Sequence, residues 1–386
     1  MWRTSEGSTG RLIQLCIGYF AFYVITTVTA KYYIDKGAGF PQMQDLAFTT
    51  YSTFGGTLIC VVVVLAMGWT RIESARRVAI GPVSFPSEWL YIVPSGVCTA
   101  IVIPTTTLMY MLPITVMVAM VVMRGAVIVI SRAVDAIQIR QGILTKHVYR
   151  EENAGVVLAL MAVAIVLFVT DTKDAVRLQI GSLCYDCRSL TDIARVEGEA
   201  AVSKVPPLWE NGTAMGILGI YIVAYALRIY IMNYFKNTSA PGVKRDNRAF
   251  FGVEQLAAST TLAIACAVFY WGPWGGDGDW IGMFRKAVDA PHPRWLEAVA
   301  AGTAFGIVAF FSVFLFMFKG RTATFAGLVN RLTSLIAGTT ATLLYWFVFD
   351  GKPVKIQDWL SLGLIFAAVA VLTRAERRRA AELAGR

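Results

Sequence analysis

The sequence predicts an all-α polytopic membrane protein, with ten transmembrane helices arranged as two inverted five-helix repeats. Three observations predict it. Of 386 residues, 56% are hydrophobic and only 16% charged, whereas a soluble domain has roughly a quarter of its residues charged. The apolar residues gather into ten runs, most of them near the ~20 residues needed to cross ~30 Å of hydrocarbon. Residues in the first five runs also match residues in the last five at nearly constant spacing.

In chain order the runs are Leu12–Ala30, Leu46–Met67, Trp89–Met111, Ile114–Val134 and Ala154–Thr170, then Thr213–Tyr234, Phe250–Trp271, Ala298–Phe318, Thr322–Val348 and Trp359–Leu372. The first is longer than a signal-peptide core and no small-residue cleavage site follows it, so it is expected to stay as an anchor. Pro94, Pro104, Gly55, Gly56, Gly302 and Gly306 would break soluble helices but are tolerated in packed membrane helices. The last run is short unless it begins near Val354. Trp69, Trp89, Trp209, Trp271, Trp295, Trp346 and Trp359 fall near span ends, as an interfacial belt does. This divides the chain into a first repeat (1–170), an external connecting loop (171–211) and a second repeat with a basic tail (212–386).

Charge sets the orientation. With both termini cytoplasmic, the inner segments hold 20 of the 35 Lys and Arg, among them Arg71–Arg77, Lys236–Arg248 and the tail Arg374–Arg379. The outer segments then carry more acid than base, as the positive-inside rule expects. The tail reads as an anchor that also touches anionic lipid. The net charge of +10 does not indicate nucleic acid, because the basic residues flank apolar runs and form no patch interleaved with aromatics. Cys16, Cys60, Cys98 and Cys266 lie in apolar runs as small hydrophobes. Cys184 and Cys187 form a lone Cys-x-x-Cys outside the spans, for which a local disulfide is one reading and a metal site a less supported one. No cofactor is expected. The sequence has no P-loop, no nucleophile elbow and only two histidines, His147 and His292, so neither catalytic residues nor metal ligands are assigned.

Five spans per half force the second half to enter upside down. The short connections Leu112-Pro113 and Lys319-Gly-Arg321 sit at matching places on opposite faces. A slide of 207 residues lays Thr115, Ala119 and Arg124 on Thr322, Ala326 and Arg331; a slide of 208 lays Gly155 and Ala159 on Gly363 and Ala367; and a slide of 210 lays Gln44-Asp-Leu-Ala47 on Glu254-Gln-Leu-Ala257. With Met123-Arg-Gly-Ala-Val-Ile128, Gly252-Val-Glu-Gln-Leu256 and Asp358-Trp-Leu-Ser-Leu-Gly-Leu-Ile365, the chain resembles the drug/metabolite transporter superfamily, including its EamA-type, nucleotide-sugar and triose-phosphate members. Lys31 followed by Phe40-Pro41 is similar to the Asn-Lys and Phe-Pro signals of the nucleotide-sugar branch, with Ala30 in place of the Asn. The 171–211 and 272–294 segments are longer than that family usually has. The resemblance implies secondary transport by alternating access, through a cavity lined by spans one, three, six and nine.

Only four charges fall well inside spans: Arg124, Arg228, Arg331 and Glu254. Each costs roughly 2.5–3.5 kcal/mol at a helix centre on insertion scales, so each needs a reason to be there. Arg124 and Arg331 approach the midplane from opposite faces and, facing one cavity, suit a carboxylate, phosphate or phospho-sugar. Alternatively they pair with protein groups or snorkel. Glu254 could couple proton movement to substrate movement, or form a salt bridge to Arg228 or Arg331. In the cavity that the resemblance implies, Tyr23, Tyr110, Tyr225, Asn330 and Thr105–Thr107 could bond substrate hydroxyls; helix-to-helix hydrogen bonding is the alternative. The expected function is secondary transport of a small, polar, anionic metabolite. The alternatives are a non-transporting assembly subunit of the same fold and a flippase for a phosphate-bearing lipid. Expected partners are the substrate, membrane lipids and, through 171–211 and 272–294, a second copy or other membrane proteins.

Overall fold

The computed structural model describes residues 9–74, 76–80, 82–112, 116–144, 149–171, 176–180, 183–189, 192–195, 211–238, 246–276, 278–316, 323–350, 354 and 356–384. Among these, eleven helices dominate: α1 (Thr9–Ile34), α2 (Asp45–Ala66), α3 (Trp89–Met111), α4 (Val116–Arg140), α5 (Arg150–Phe168), α6 (Gly212–Asn237), α7 (Asn247–Trp271), α8 (Trp280–Asp289), α9 (Trp295–Phe316), α10 (Ala323–Phe349) and α11 (Ile356–Ala384). Ten of them fall on the ten apolar runs. Eight are long and apolar enough to cross a membrane, which makes the chain a multi-pass membrane protein. The other two are α4, with Arg124, Arg132 and Asp135 along its length, and α5, whose 19 residues begin with Arg150, Glu151 and Glu152.

Local chemistry sets the helix ends. Asn211 caps α6 by accepting from the Ala214 N–H at 3.1 Å, and Asp246 caps α7 by accepting from Arg248 N–H at 2.8 Å. Gly68, at φ +63°, takes the left-handed turn that ends α2. Lys31 Nζ closes α3 from outside, donating to the Leu112 carbonyl at 3.1 Å. The last span is not short, because α11 runs 29 residues and absorbs the basic tail into its final turns.

Three connections hold structure that the hydropathy pattern does not announce. Strands β1 (Arg77–Ile80) and β2 (Val83–Pro86) form an antiparallel hairpin between α2 and α3. The segment after α5 is not a plain loop: β3 (Val169–Asp171), β4 (Val176–Ile180), β5 (Leu183–Ser189) and β6 (Asp192–Arg195) form an antiparallel meander. Cys184 and Cys187 both fall on β5, opposite Gln179 and Val176; their side chains lie outside the described residues, as do Thr115 and the 319–322 connection. The 272–294 segment contains α8, which is fastened to its own chain. Tyr51 donates to the Ala287 carbonyl at 2.6 Å, Tyr270 donates to Asp289 at 2.7 Å, and Arg285 donates to the carbonyls of Phe269 and Trp274 at 3.0 and 2.8 Å. The exposed side of α8 carries Trp280 and Met283 beside Trp271 and Trp274, the amphipathic composition of a helix lying in a membrane interface.

The bundle exposes large apolar faces as well as burying an apolar core. Phe54, Leu58, Val62 and Leu65 on α2, and Ile220, Val223 and Leu227 on α6, are each 46% exposed or more, at spacings of three and four that mark one face of a helix. Within that core, the buried interior also holds Arg124, Arg228, Arg331, Glu254, Gln255 and Asn330. The helices pack α1 on α9 and α10, α2 on α9 and α7, α3 on α6 and α7, α4 on α5, α6 and α10, and α11 on α5 and α10. The α2–α9 crossing is made by glycine: a Cβ added at Gly55 would lie 1.9 Å from the Val299 carbonyl oxygen, and one at Gly302 only 2.1 Å from that of Ser52. Backbones that close leave no room for any side chain.

Candidate functional site

The polar interior begins with α1 and α6. Tyr19 and Tyr23 lie one turn apart on α1, and Tyr221 and Tyr225 one turn apart on α6, so each pair shares a helix face. Their rings meet at centroid separations of 5.2 and 5.3 Å. With Arg124, Arg228, Gln255, Thr99, Thr106 and Ser312, these four tyrosines line a central cavity of about 70 Å³. Aliphatic and aromatic residues of α3 and α9 complete its wall.

Arg124 enters from α4 and is 5% exposed. Its guanidinium donates to the Tyr23 hydroxyl at 2.7 Å and lies 5.6 Å from the centre of that ring. A relay runs onward, because Tyr23 bonds Tyr110, and Tyr110 donates to Met120 Sδ at 3.6 Å. Arg124 Nε has no protein partner.

Arg228 and Glu254 form a bidentate ion pair, Nε to Oε1 at 2.8 Å and Nη2 to Oε2 at 3.0 Å. Glu254 is fully buried, and it also accepts from Ser95 at 2.7 Å and Thr99 at 3.1 Å. The network ties α3, α6 and α7 together and cancels the Arg228 charge. Of the two readings of Glu254, the geometry supports the salt bridge, made to Arg228 and not to Arg331.

The two arginines matched in sequence part company in space. Arg331 is buried, but it donates to Ser131 on α4 and does not line the cavity. Asn330 is also withdrawn: its amide donates to Ser312 Oγ at 3.1 Å, and its oxygen accepts from Tyr19 at 3.4 Å. Tyr110 sits behind Tyr23. So of the residues singled out in sequence, Arg124, Arg228, Tyr23 and Tyr225 reach the cavity, while Arg331, Asn330, Tyr110 and Glu254 support it from behind. Of Thr105–Thr107, Thr106 alone lines the cavity, and all three hydroxyls bond carbonyls one turn back on α3. Among the described residues, the lining comes from α1, α3, α4, α6, α7 and α9, so α9 takes the place expected of the ninth span.

Sequence reading missed Tyr19, Tyr221 and Gln255. A signal existed for the tyrosines, since a slide of 202 residues lays Tyr19 on Tyr221 and Tyr23 on Tyr225. Gln255 lies in the Gly252-Val-Glu-Gln-Leu256 motif and in the block matched at a slide of 210, neither of which separates it from Glu254. Gln255 is 1% exposed, and neither its amide nitrogen nor its amide oxygen has a protein partner. A second, shallower groove of about 390 Å³ runs along α10 and α11, walled by Leu332, Phe366, Val369 and Ala370 and edged by Arg374 and Arg377.

No family model matches the chain, and no curated protein matches it. Among solved structures, one described only as a crystal structure of a protein is 14% identical, aligns over 96% of this chain and 99% of its own, and has a TM-score of 0.48.

Proposed function

We propose that this protein is a secondary transporter of a small, polar, anionic metabolite, working by alternating access between two inverted halves, α1–α5 and α6, α7, α9, α10 and α11. The observation that carries this reading is a cavity lined from both halves and holding an arginine that no carboxylate neutralises among the described residues. Helix pairing supports the two halves. If the helices of the first half are exchanged in order with those of the second, α1–α9 becomes α6–α3, α2–α9 becomes α7–α3, and α1–α10 becomes α6–α4. Each of these is a packed pair. The pairs α4–α10, α5–α11 and α2–α7 map onto themselves, as pairs astride a two-fold axis do. Positive charge beside the spans supports cytoplasmic termini. In this reading no bond is made or broken in the cargo, so the protein is not an enzyme. Glu254 serves as the counterion of Arg228 and not as a proton carrier.

The alternatives meet physical obstacles. A cavity of about 70 Å³, the liquid volume of roughly two or three waters, is too small for a phospholipid headgroup with its chains; the α10–α11 groove is the feature that favours a flippase. The meander and α8 supply the extra surface that an assembly subunit would use, but α8 is already bonded to its own chain. Uptake into proteoliposomes tests the proposal, using radiolabelled small carboxylates with and without a pH gradient. Saturable, protein-dependent uptake that Arg124→Gln abolishes is expected. Its absence from well-folded wild-type vesicles would sink the transport reading and move the subunit reading ahead.

A further inference from the structure

Three guanidiniums lie inside the spans, but the geometry leaves only one for a ligand. Arg228 is matched charge for charge by Glu254 in a bidentate pair. Arg331 is turned to Ser131 behind the cavity wall, within electrostatic reach of Tyr225 and Arg124 and of Asp135, one helical turn beyond Ser131 on α4. Arg124 lines the cavity and meets no carboxylate among the described residues; the groups around it are the hydroxyl and ring of Tyr23. The cavity wall therefore carries one guanidinium that no carboxylate of the described residues pairs, with Arg331 held behind it on Ser131. A dianion would bring one charge more than that guanidinium offsets, beside buried side chains where charge is poorly screened.

The second feature is Gln255. Its amide is buried, lines the same cavity, and has both a donor and an acceptor without protein partners. An amide with both capacities free complements a group that also donates and accepts, such as a hydroxyl. Size supplies the third limit, because a cavity of about 70 Å³ suits only a small molecule. The remaining wall, Val102, Ile103, Val308 and Ala309 with the tyrosine rings, suits a short carbon skeleton.

We infer that the cavity binds a small hydroxylated monocarboxylate, with its carboxylate on Arg124 and its hydroxyl on Gln255. Gln255 then sets specificity. This rests on the reading of the cavity as the transport site, and it narrows that reading: phosphate monoesters, which carry about −1.5 to −2 charges at neutral pH, fall outside the class.

The test is calorimetric titration of the full chain in detergent with lactate, propionate, malate and glycerol. These compare one carboxylate with a hydroxyl, the same acid lacking it, a dianion with a hydroxyl, and hydroxyls without charge. Lactate is expected to bind about tenfold tighter than propionate, the worth of roughly one hydrogen bond, with malate and glycerol weaker still. Gln255→Leu is expected to bring the lactate-to-propionate ratio to about one, and Arg124→Gln to remove binding of both acids. Malate equal to or tighter than lactate, a wild-type ratio near one, or no lactate binding would each overturn the inference. These comparisons use wild-type protein, so they stand even if Gln255→Leu does not fold. Lactate binding without flux in vesicles would instead overturn the transport reading and leave the site intact. Protein-dependent flux of a dianion in vesicles, with no lactate binding, would overturn the site assignment alone.

Discussion

A bidentate ion pair held out of water, as Arg228 and Glu254 are, is expensive to build and more expensive to break. Taking either charge from water costs several kcal/mol, and only close approach to the other with further hydrogen bonds offsets it. Ser95 and Thr99 supply those bonds to Glu254. Removing one partner strands the other, so Glu254→Gln is expected to destabilise the protein by about 3–5 kcal/mol. Replacing both partners with apolar residues, as in Arg228→Met with Glu254→Leu, should cost less than either single change. Equilibrium unfolding in detergent measures both. A double variant less stable than each single variant would contradict the ion-pair assignment. The motif Gly252-Val-Glu-Gln-Leu256 marked this place in the sequence, but not which of its two polar residues turns to an arginine and which to the cavity. Consecutive residues on a helix point about 100° apart, and only the neighbours decide what lies in each direction.

Helices meet most closely where side chains are absent. At the α2–α9 crossing the backbones approach through Gly55, Gly56, Gly302 and Gly306, which is how helices associate when water supplies no hydrophobic drive between them. A valine at Gly302 would press into the Ser52 carbonyl, and overpacking of that kind costs about 1–3 kcal/mol. Gly302→Val is therefore expected to lower the thermal midpoint in detergent. Gly363→Val, at a glycine with open space around it, is expected to be nearly neutral, and equal effects from the two would argue against backbone contact at this crossing. Among the described residues, eleven helices and two small sheets stand where ten apolar runs were legible. Hydropathy reports which segments prefer lipid, and it is silent on elements outside the bilayer. Helix α8, the β1–β2 hairpin and the β3–β6 meander have mixed composition, and their order comes from hydrogen bonds to distant or neighbouring segments.

At the scale of the molecule, the two arginines matched in sequence stand in unlike states. Arg124 bonds Tyr23 at the cavity, whereas Arg331 bonds Ser131 away from it. The slide of 202 residues lays Tyr23 on Tyr225, which lines the cavity without that bond. In a transporter of the proposed kind, the opposite-facing state exchanges the conformations of the two halves. Arg331 would then leave Ser131 for Tyr225, and Arg124 would release Tyr23. Tyr23→Phe should therefore shift the population toward one facing state and Tyr225→Phe toward the other. Spin-label distances across each mouth of the bundle report this, and shifts in the same direction for both variants would refute the exchange.

The sequence by itself determined the solvent, the place of the long helices, eight of them apolar enough to span, and the four charges that lipid would not tolerate alone. Those properties are carried by composition and by periodicity along one segment at a time, so they survive in one dimension. The tertiary structure decided the partners. It joined Glu254 to Arg228, turned Arg331 to Ser131, put Gln255 beside the tyrosines of α1 and α6, and kept Asn330 and Tyr110 as supports. Each outcome depends on how a helix is rotated about its axis and where it crosses its neighbours. Packing between distant segments sets both quantities, and no single segment encodes them.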